Sequence, residues 1–510
     1  MLSIDIYMSC LICISAGRHL KMKVFLTVLL IFCVFAIEAG KLEEGRGPGY
    51  MKNEYNISNS STPFMSDRVK NFSVKVRVPG GEWREASICN ARIGLRQTGV
   101  VSIASFDFSG KAEVAVGFKD KIESARIRPL RHKIPYSKIN DNEISFMLDR
   151  PVKLSIEFNG DTLNNLHIFA NPMEENVPDP ADGKVISYKP GIHRIEGDGF
   201  LKLQSGQTLY LPYGAILKTK GIICDKVEDV RICGRGTIDM GDYMSENPSD
   251  QKRPNSQGVC ATFAKNITIE GVMFLNPNHY TIFLGQCDKV KIKDIKSFSS
   301  SVWADGIDCM STKDLDVDDV FLRTSDDCIA IYGHRWNYFG DTRNISVKNS
   351  VLWADVAHPV LIGVHGLHEK DGDIIENILI DNIDILLHDE IIGQYHGALA
   401  INAGDGNIVR NVAFSNIRIE EIRAGQILNI RVFKNESYNP KPGRRIENVL
   451  VRDVSYSGPE KISEISGYDD ERMVEKLTIQ NLVVNGRTVL KPEDAGIRIG
   501  KFVKDINFSR

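Results

Sequence analysis

Apolar and polar residues alternate one for one along most of this chain, and helical periodicity is almost absent. From about residue 229 the alternation falls into units: DVRICGRG, NITIEGVMF, KVKIKDIKS, DLDVDDVFL, NISVKNSVL, NILIDNIDI, NVAFSNIRI, NVLVRDVSY and KLTIQNLVV. They open at Asp229, Asn266, Lys289, Asp314, Asn344, Asn377, Asn411, Asn448 and Lys476, at spacings of 23 to 37 residues. Each unit reads as a short strand, a polar or Gly bend, and a second short strand. Repeats of this kind suggest a propeller, a sandwich or a β-solenoid. The units are too short for four-stranded blades and lack a WD-type signature, so a parallel β-helix over residues 186–510 is expected. Asn at the bends fits, because it tolerates left-handed backbone and bonds its own neighbourhood.

Residues 41–185 alternate too, but without a repeat. NFSVKVRVPGGEW, VVSIASFDFSG, AEVAVGF, EISFMLDRPVKLSIEFNG and LHIFANP read as strands joined by Gly and Asn-Gly turns. An N-terminal antiparallel β-sandwich is expected there, ending at the Pro-rich acidic junction NPMEENVPDPADG. Residues 1–40 read as a leader: MKVFLTVLLIFCVFAIEAG has the lysine, apolar run and small residues of a secretory signal peptide, with Met22 as the expected start. A secreted or periplasmic protein follows, with no membrane span after signal removal. A net charge of −3 offers no footprint for nucleic acid. The seven cysteines beyond the leader (Cys89, Cys224, Cys233, Cys260, Cys287, Cys309, Cys328) are scattered without zinc spacing and read as buried thiols.

One stretch departs from a purely structural pattern. SVWADGIDCMSTKDLDVDDVFLRTSDDCIAIYG places Asp326 and Asp327 in tandem 21 residues after Asp305, close to one short coil. Stacked coils bring equivalent positions about 4.8 Å apart. Three carboxyls so gathered cannot all ionise, and at least one should hold its proton near neutral pH. Glycoside hydrolysis needs that pairing: one carboxyl protonates the leaving oxygen while another activates water. Turn formation or calcium binding is the structural alternative. Asp308 and Asp355 fall outside this register and read as turn-forming.

At these residues the sequence resembles the glycoside hydrolase clan that contains family 28 (polygalacturonases) and family 49 (dextranases and isopullulanase). Both are inverting enzymes on a right-handed parallel β-helix, and the resemblance implies that handedness here. WADGID resembles the Asn-Thr-Asp-Gly motif of family 28 around Asp305, and SDDCIAI its Asp-Asp motif. The resemblance implies Asp326 as general acid, with Asp305 and Asp327 holding and activating the water. AHPVLIG resembles the histidine segment and makes His358 the counterpart, with Pro359 where Gly is usual; His365 in GVHG is the competing candidate. The family's Arg-Ile-Lys, which holds a uronate carboxylate, falls on Ala398, Leu399 and Ala400. A neutral glycan is therefore expected. Arg431 is a cation from a later coil that could stand in. A sandwich before the β-helix is closer to the family 49 layout.

Aromatic residues crowd the acidic stretch: Trp303, Tyr332, Trp336, Tyr338 and Trp353. Trp303, Tyr332 and Trp336 are candidates for stacking on sugar rings. His334, His365, Gln394 and His396 are candidates, with Arg335, for hydrogen bonds to sugar hydroxyls. The expected activity is inverting hydrolysis of an α-linked polysaccharide or oligosaccharide, with no metal or organic cofactor. Acid and base should then stand about 6.5–9.5 Å apart. Insertions at Asp242 to Pro254 and Trp336 to Asp341 are placed to wall one end of a cleft. The alternatives are a polygalacturonase-type pectin hydrolase, a polysaccharide lyase, and a non-catalytic glycan-binding solenoid.

Overall fold

Left-handed backbone marks every coil. In the computed structural model the nine unit-opening residues, Asp229 through Lys476, all have φ between 54° and 59°. Such values are uncommon outside Gly, Asn and Asp, and seven of the nine are Asn or Asp. The structure describes residues 57–58, 71–244, 257–367, 372–392 and 396–510, all within one compact unit, Asn53–Arg510. The expected leader, Gln394 and most of the Asp242 to Pro254 insertion lie outside those residues.

The chain winds as a right-handed parallel β-helix preceded by a β-sandwich. The helix has a 22-stranded sheet running from Val185–Ser187 to Val503–Ser509 and an 11-stranded sheet from Phe200–Lys202 to Ile497–Ile499. Register is held by stacked aliphatic residues. Val230, Ile267, Val290, Leu315, Ile345, Ile378, Val412, Val449 and Leu477 each face the next on the neighbouring coil. All nine are buried in one continuous core. A one-residue slip would turn that column outward, so burial alone pins the stacking.

The sandwich has a six-stranded and a five-stranded sheet. One pairing departs from the antiparallel expectation: Leu166–Asn171 runs parallel to Gly99–Phe108. It is inserted between that strand and Val152–Phe158, which run in opposite directions, so one of its edges must be parallel. Side-chain alternation then divides the strand between two cores. Ala104, Phe106 and Phe108 face the sandwich interior, while Val101 and Ile103 pack with Phe298, Phe321, Trp353 and Leu387 of the β-helix. Ion pairs close the same seam, including Arg128 with Glu157 at 2.8 Å and Glu420 at 2.6 Å. All seven cysteines are buried free thiols. No helix among the described residues is long and apolar enough to cross a membrane.

Candidate active site

Strand register brings the acidic residues together. Ile282, Ile307, Ile329 and Val360 are successive partners in the 11-stranded sheet. Two residues before each stand Tyr280, Asp305, Asp327 and His358, one position repeated on four coils. Backbone bonds carry the stacking across that corner: Gly306 N–H to Asp327 C=O at 2.8 Å and Cys328 N–H to His358 C=O at 2.7 Å. Buried serines pin the corners beneath, Ser325 Oγ donating to Ser301 C=O at 2.7 Å. The Thr324 hydroxyl donates to Asp326 C=O at 2.6 Å and holds that residue at the turn.

One oxygen each from Asp305, Asp326 and Asp327 lies within 4.8 Å of the others. This is shorter than the separation of about 6.5–9.5 Å expected for an inverting pair. Burial, reinforced by the Asp327 charge, pushes Asp326 up to about 7. Burial also raises Asp305 well above the carboxylate range, with the charges of Asp308, Asp326 and Asp327 adding to it. Asp327 instead collects donors. The His358 ring gives Nδ1–H to its Oδ1 at 2.7 Å, and the His358 backbone N–H reaches the same oxygen at 2.9 Å. Burial alone would lower His358, but Asp327 outweighs it and the imidazole is raised. The three carboxylates are also an oxygen donor set able to hold a divalent cation.

These residues line a cavity of about 330 Å³, together with Trp303, Tyr332 and His365. Trp303 is 41 % exposed and has φ of 57°, unusual for a bulky side chain. His365 packs edge-on against Tyr332, ring centres 4.9 Å apart. The other sugar-binding candidates lie elsewhere. His334 bonds Tyr338 C=O and packs on Phe339, Trp336 lies beside Phe283 and under Arg335, and His396 is outside the cavity wall. Arg431 is also outside it, close to Glu464 and Ser466.

The structure adds members that the spacing did not single out. Asp308, read as turn-forming, is fully buried, and burial and the Asp327 charge raise it well above the usual range. It lies on the outer face of its strand, because Ile307 and Cys309 take the core face. Asp355 does remain structural, bound by Arg323 at 2.8 and 3.1 Å. Arg335, already a sequence candidate for sugar hydroxyls, does line the cavity and donates to Tyr280 Oη at 2.7 Å. Glu390 and Arg96 complete the wall. No local pattern in the sequence announces either. Ala398, Leu399 and Ala400 are fully buried, and these three positions supply no cation.

Comparison with known proteins places this geometry. The family model described as Glycosyl hydrolases family 28 matches residues 213–494, more than half of the 510-residue chain. Exopolygalacturonase B of Aspergillus niger is 29 % identical over 176 residues, covering 32 % of this chain and 37 % of that protein. A polygalacturonase of Juniperus ashei is 31 % identical over 163 residues, covering 29 % and 30 %. The chain thus spans about a third of the length of each of these relatives. Dex49A from Penicillium minioluteum superposes with a TM-score of 0.55 at 16 % identity, over 89 % of this chain and 96 % of that one, a likeness of fold. Because the family match runs over the coils that bear the carboxylate cluster and over more than half of the chain, the protein belongs to glycosyl hydrolases family 28.

Proposed function

We propose that the protein hydrolyses an α-linked, uncharged polysaccharide or oligosaccharide by single displacement. The observation that carries this reading is the contrast between neighbours: burial pushes Asp326 up to about 7, while Asp327 accepts hydrogen bonds from the ring and backbone N–H of His358. Asp326 protonates the glycosidic oxygen. Asp327 takes a proton from the attacking water, its charge balanced by the His358 imidazole. Asp305, raised well above the carboxylate range by burial and its acidic neighbours, orients that water. Asp327 is fixed by three contacts, the third from Tyr332 Oη at 3.5 Å, which suits a base better than a group that must swing onto carbon.

An uncharged substrate is supported by the cavity's charges. Of its two arginines, Arg96 lies 3.6 Å from Asp389 Oδ2 and Arg335 donates to Tyr280 Oη at 2.7 Å. Four acids, Asp305, Asp326, Asp327 and Glu390, share the wall. A uronate carboxylate would enter a wall on which acids outnumber arginines.

The test is reducing-sugar release over a panel of neutral and acidic glycans. Neutral glycans should be cleaved, and Asp326→Asn should lower turnover by about 10²–10⁴-fold. NMR of the first product should show inversion; the short carboxyl spacing makes retention the informative failure. A second reading, eliminative cleavage of a uronate glycan, is favoured by the cation-capable donor set beside Arg335. Chelator-sensitive formation of an ultraviolet-absorbing unsaturated product would support it.

A further inference from the structure

We infer that the N-terminal sandwich supplies a sugar subsite of the catalytic cavity, built by the turn between Ile88–Ile93 and Gly99–Phe108, with Arg96 and Leu95 as its contact residues. The inference rests on the hydrolase reading above and deepens it. Both residues line the cavity that holds the carboxylates, although they belong to the sandwich.

The turn has a built shape. Gly94 has a left-handed φ of 72°, and a Cβ there would meet Gln97 C=O at 2.0 Å. Its two feet rest on different coils of the β-helix. Gly94 N–H donates to Ser299 C=O at 3.2 Å, and Ser299 Oγ in turn holds Ala304 C=O, next to Asp305. Arg96 Nη2 donates to Asp389 C=O and lies 3.6 Å from Asp389 Oδ2. Asp389 C=O also receives the Ala357 N–H at 3.1 Å, one residue before His358. The turn therefore straddles the coils that present Asp305 and His358, and it rests on backbone adjoining both.

The chemistry at its tip suits an uncharged sugar. Arg96 carries five N–H donors and its contacts with Asp389 engage Nη2, while the side chain stays 29 % exposed. Guanidinium donors without a surplus charge bind hydroxyl oxygens. Leu95 is 37 % exposed and Ile391 and Ile392 are 62 % and 45 % exposed, all on the same wall. This is an apolar rim for the C–H face of a pyranose, beside an arginine for its hydroxyls.

The experiment compares kcat and KM of the full chain with those of Arg96→Ala, Leu95→Ala and Arg131→Ala. The probes are a short and a longer oligosaccharide of the linkage that the wild type cleaves in the panel above. Arg131 tethers the sandwich through Asp384 and stands outside the cavity wall, so it controls for loosening of the seam. Arg96→Ala should raise KM on the order of tenfold with kcat little changed. Leu95→Ala, which breaks no hydrogen bond of the turn, should raise KM in the same direction and fold normally. Arg131→Ala should lower the melting temperature and leave KM alone. If both turn variants leave KM unmoved while Asp326→Asn abolishes turnover, the subsite is refuted and the hydrolase reading stands. If Arg96→Ala lowers kcat and melting temperature together and Leu95→Ala is silent, the turn is only a tether.

Discussion

Asp326 is where residue-scale chemistry becomes measurable. A general acid works only when protonated, so kcat/KM should fall as pH rises through about 7, the position to which burial and Asp327 push this carboxyl. Stability should follow the same sign. A carboxyl that binds its proton more tightly in the folded state than in the unfolded chain stabilises most at low pH. That contribution is lost as pH rises from the ordinary value of 3.8 toward the folded value. Asp308 tests this without touching the cavity wall. It is fully buried and held well above the usual range, so at pH 8 folding either keeps it protonated at a cost or ionises it among like charges. Asp308→Asn should therefore raise the melting temperature at pH 8 and change it little at pH 4. Equal shifts at both pH values would refute the assignment.

Coils are the elements here, and their corners depend on Asn. Asn344, Asn377, Asn411 and Asn448 form a ladder in which each amide donates to the side chain one coil earlier, at 2.8, 3.0, 3.1 and 2.8 Å from first to last. Each also occupies left-handed backbone. Asn377→Ala should lose both features and cost about 1–3 kcal/mol in urea unfolding. Asn377→Gly removes only the ladder bonds and should cost less. Lys289 and Lys476 take the same backbone without such a side chain, so the continuous core, not the corner, enforces the bend there. The acidic corner follows the same logic: Ser299, Ser325 and Thr324 spend their hydroxyls on turn carbonyls and on each other. Those bonds hold Asp326 and Asp327 where neither would sit for its own stability.

At the scale of the molecule the sandwich and the β-helix are joined along one seam. Its seam with the β-helix combines an apolar cluster with buried ion pairs. Arg128 is the hub, fully buried between Glu157 and Glu420 and also bound to Leu386 C=O. Arg128→Ala leaves two buried carboxylates without their partner and should cost about 3–5 kcal/mol by chemical denaturation. Removing the sandwich would uncover Phe298, Phe321, Trp353 and Leu387 on the helix surface. The excised β-helix should aggregate, as light scattering would show.

Period-two alternation, the spacing of the bends and the Asp305 to Asp327 interval are local properties, and from them the sequence alone determined the coil, its core column and its acidic corner. His358 came instead from the resemblance of AHPVLIG to the family's histidine segment, and coil stacking sets it against Asp327. Asp308 was misjudged because its burial depends on which loops cover the outer face of its strand. Arg96 meets Asp389 across 293 residues of chain, and no periodicity links a sandwich turn to a distant coil. Only the docking of one β-structure on the other decided that contact, because apolar burial along the seam, rather than any local preference, selects which turn reaches the cavity.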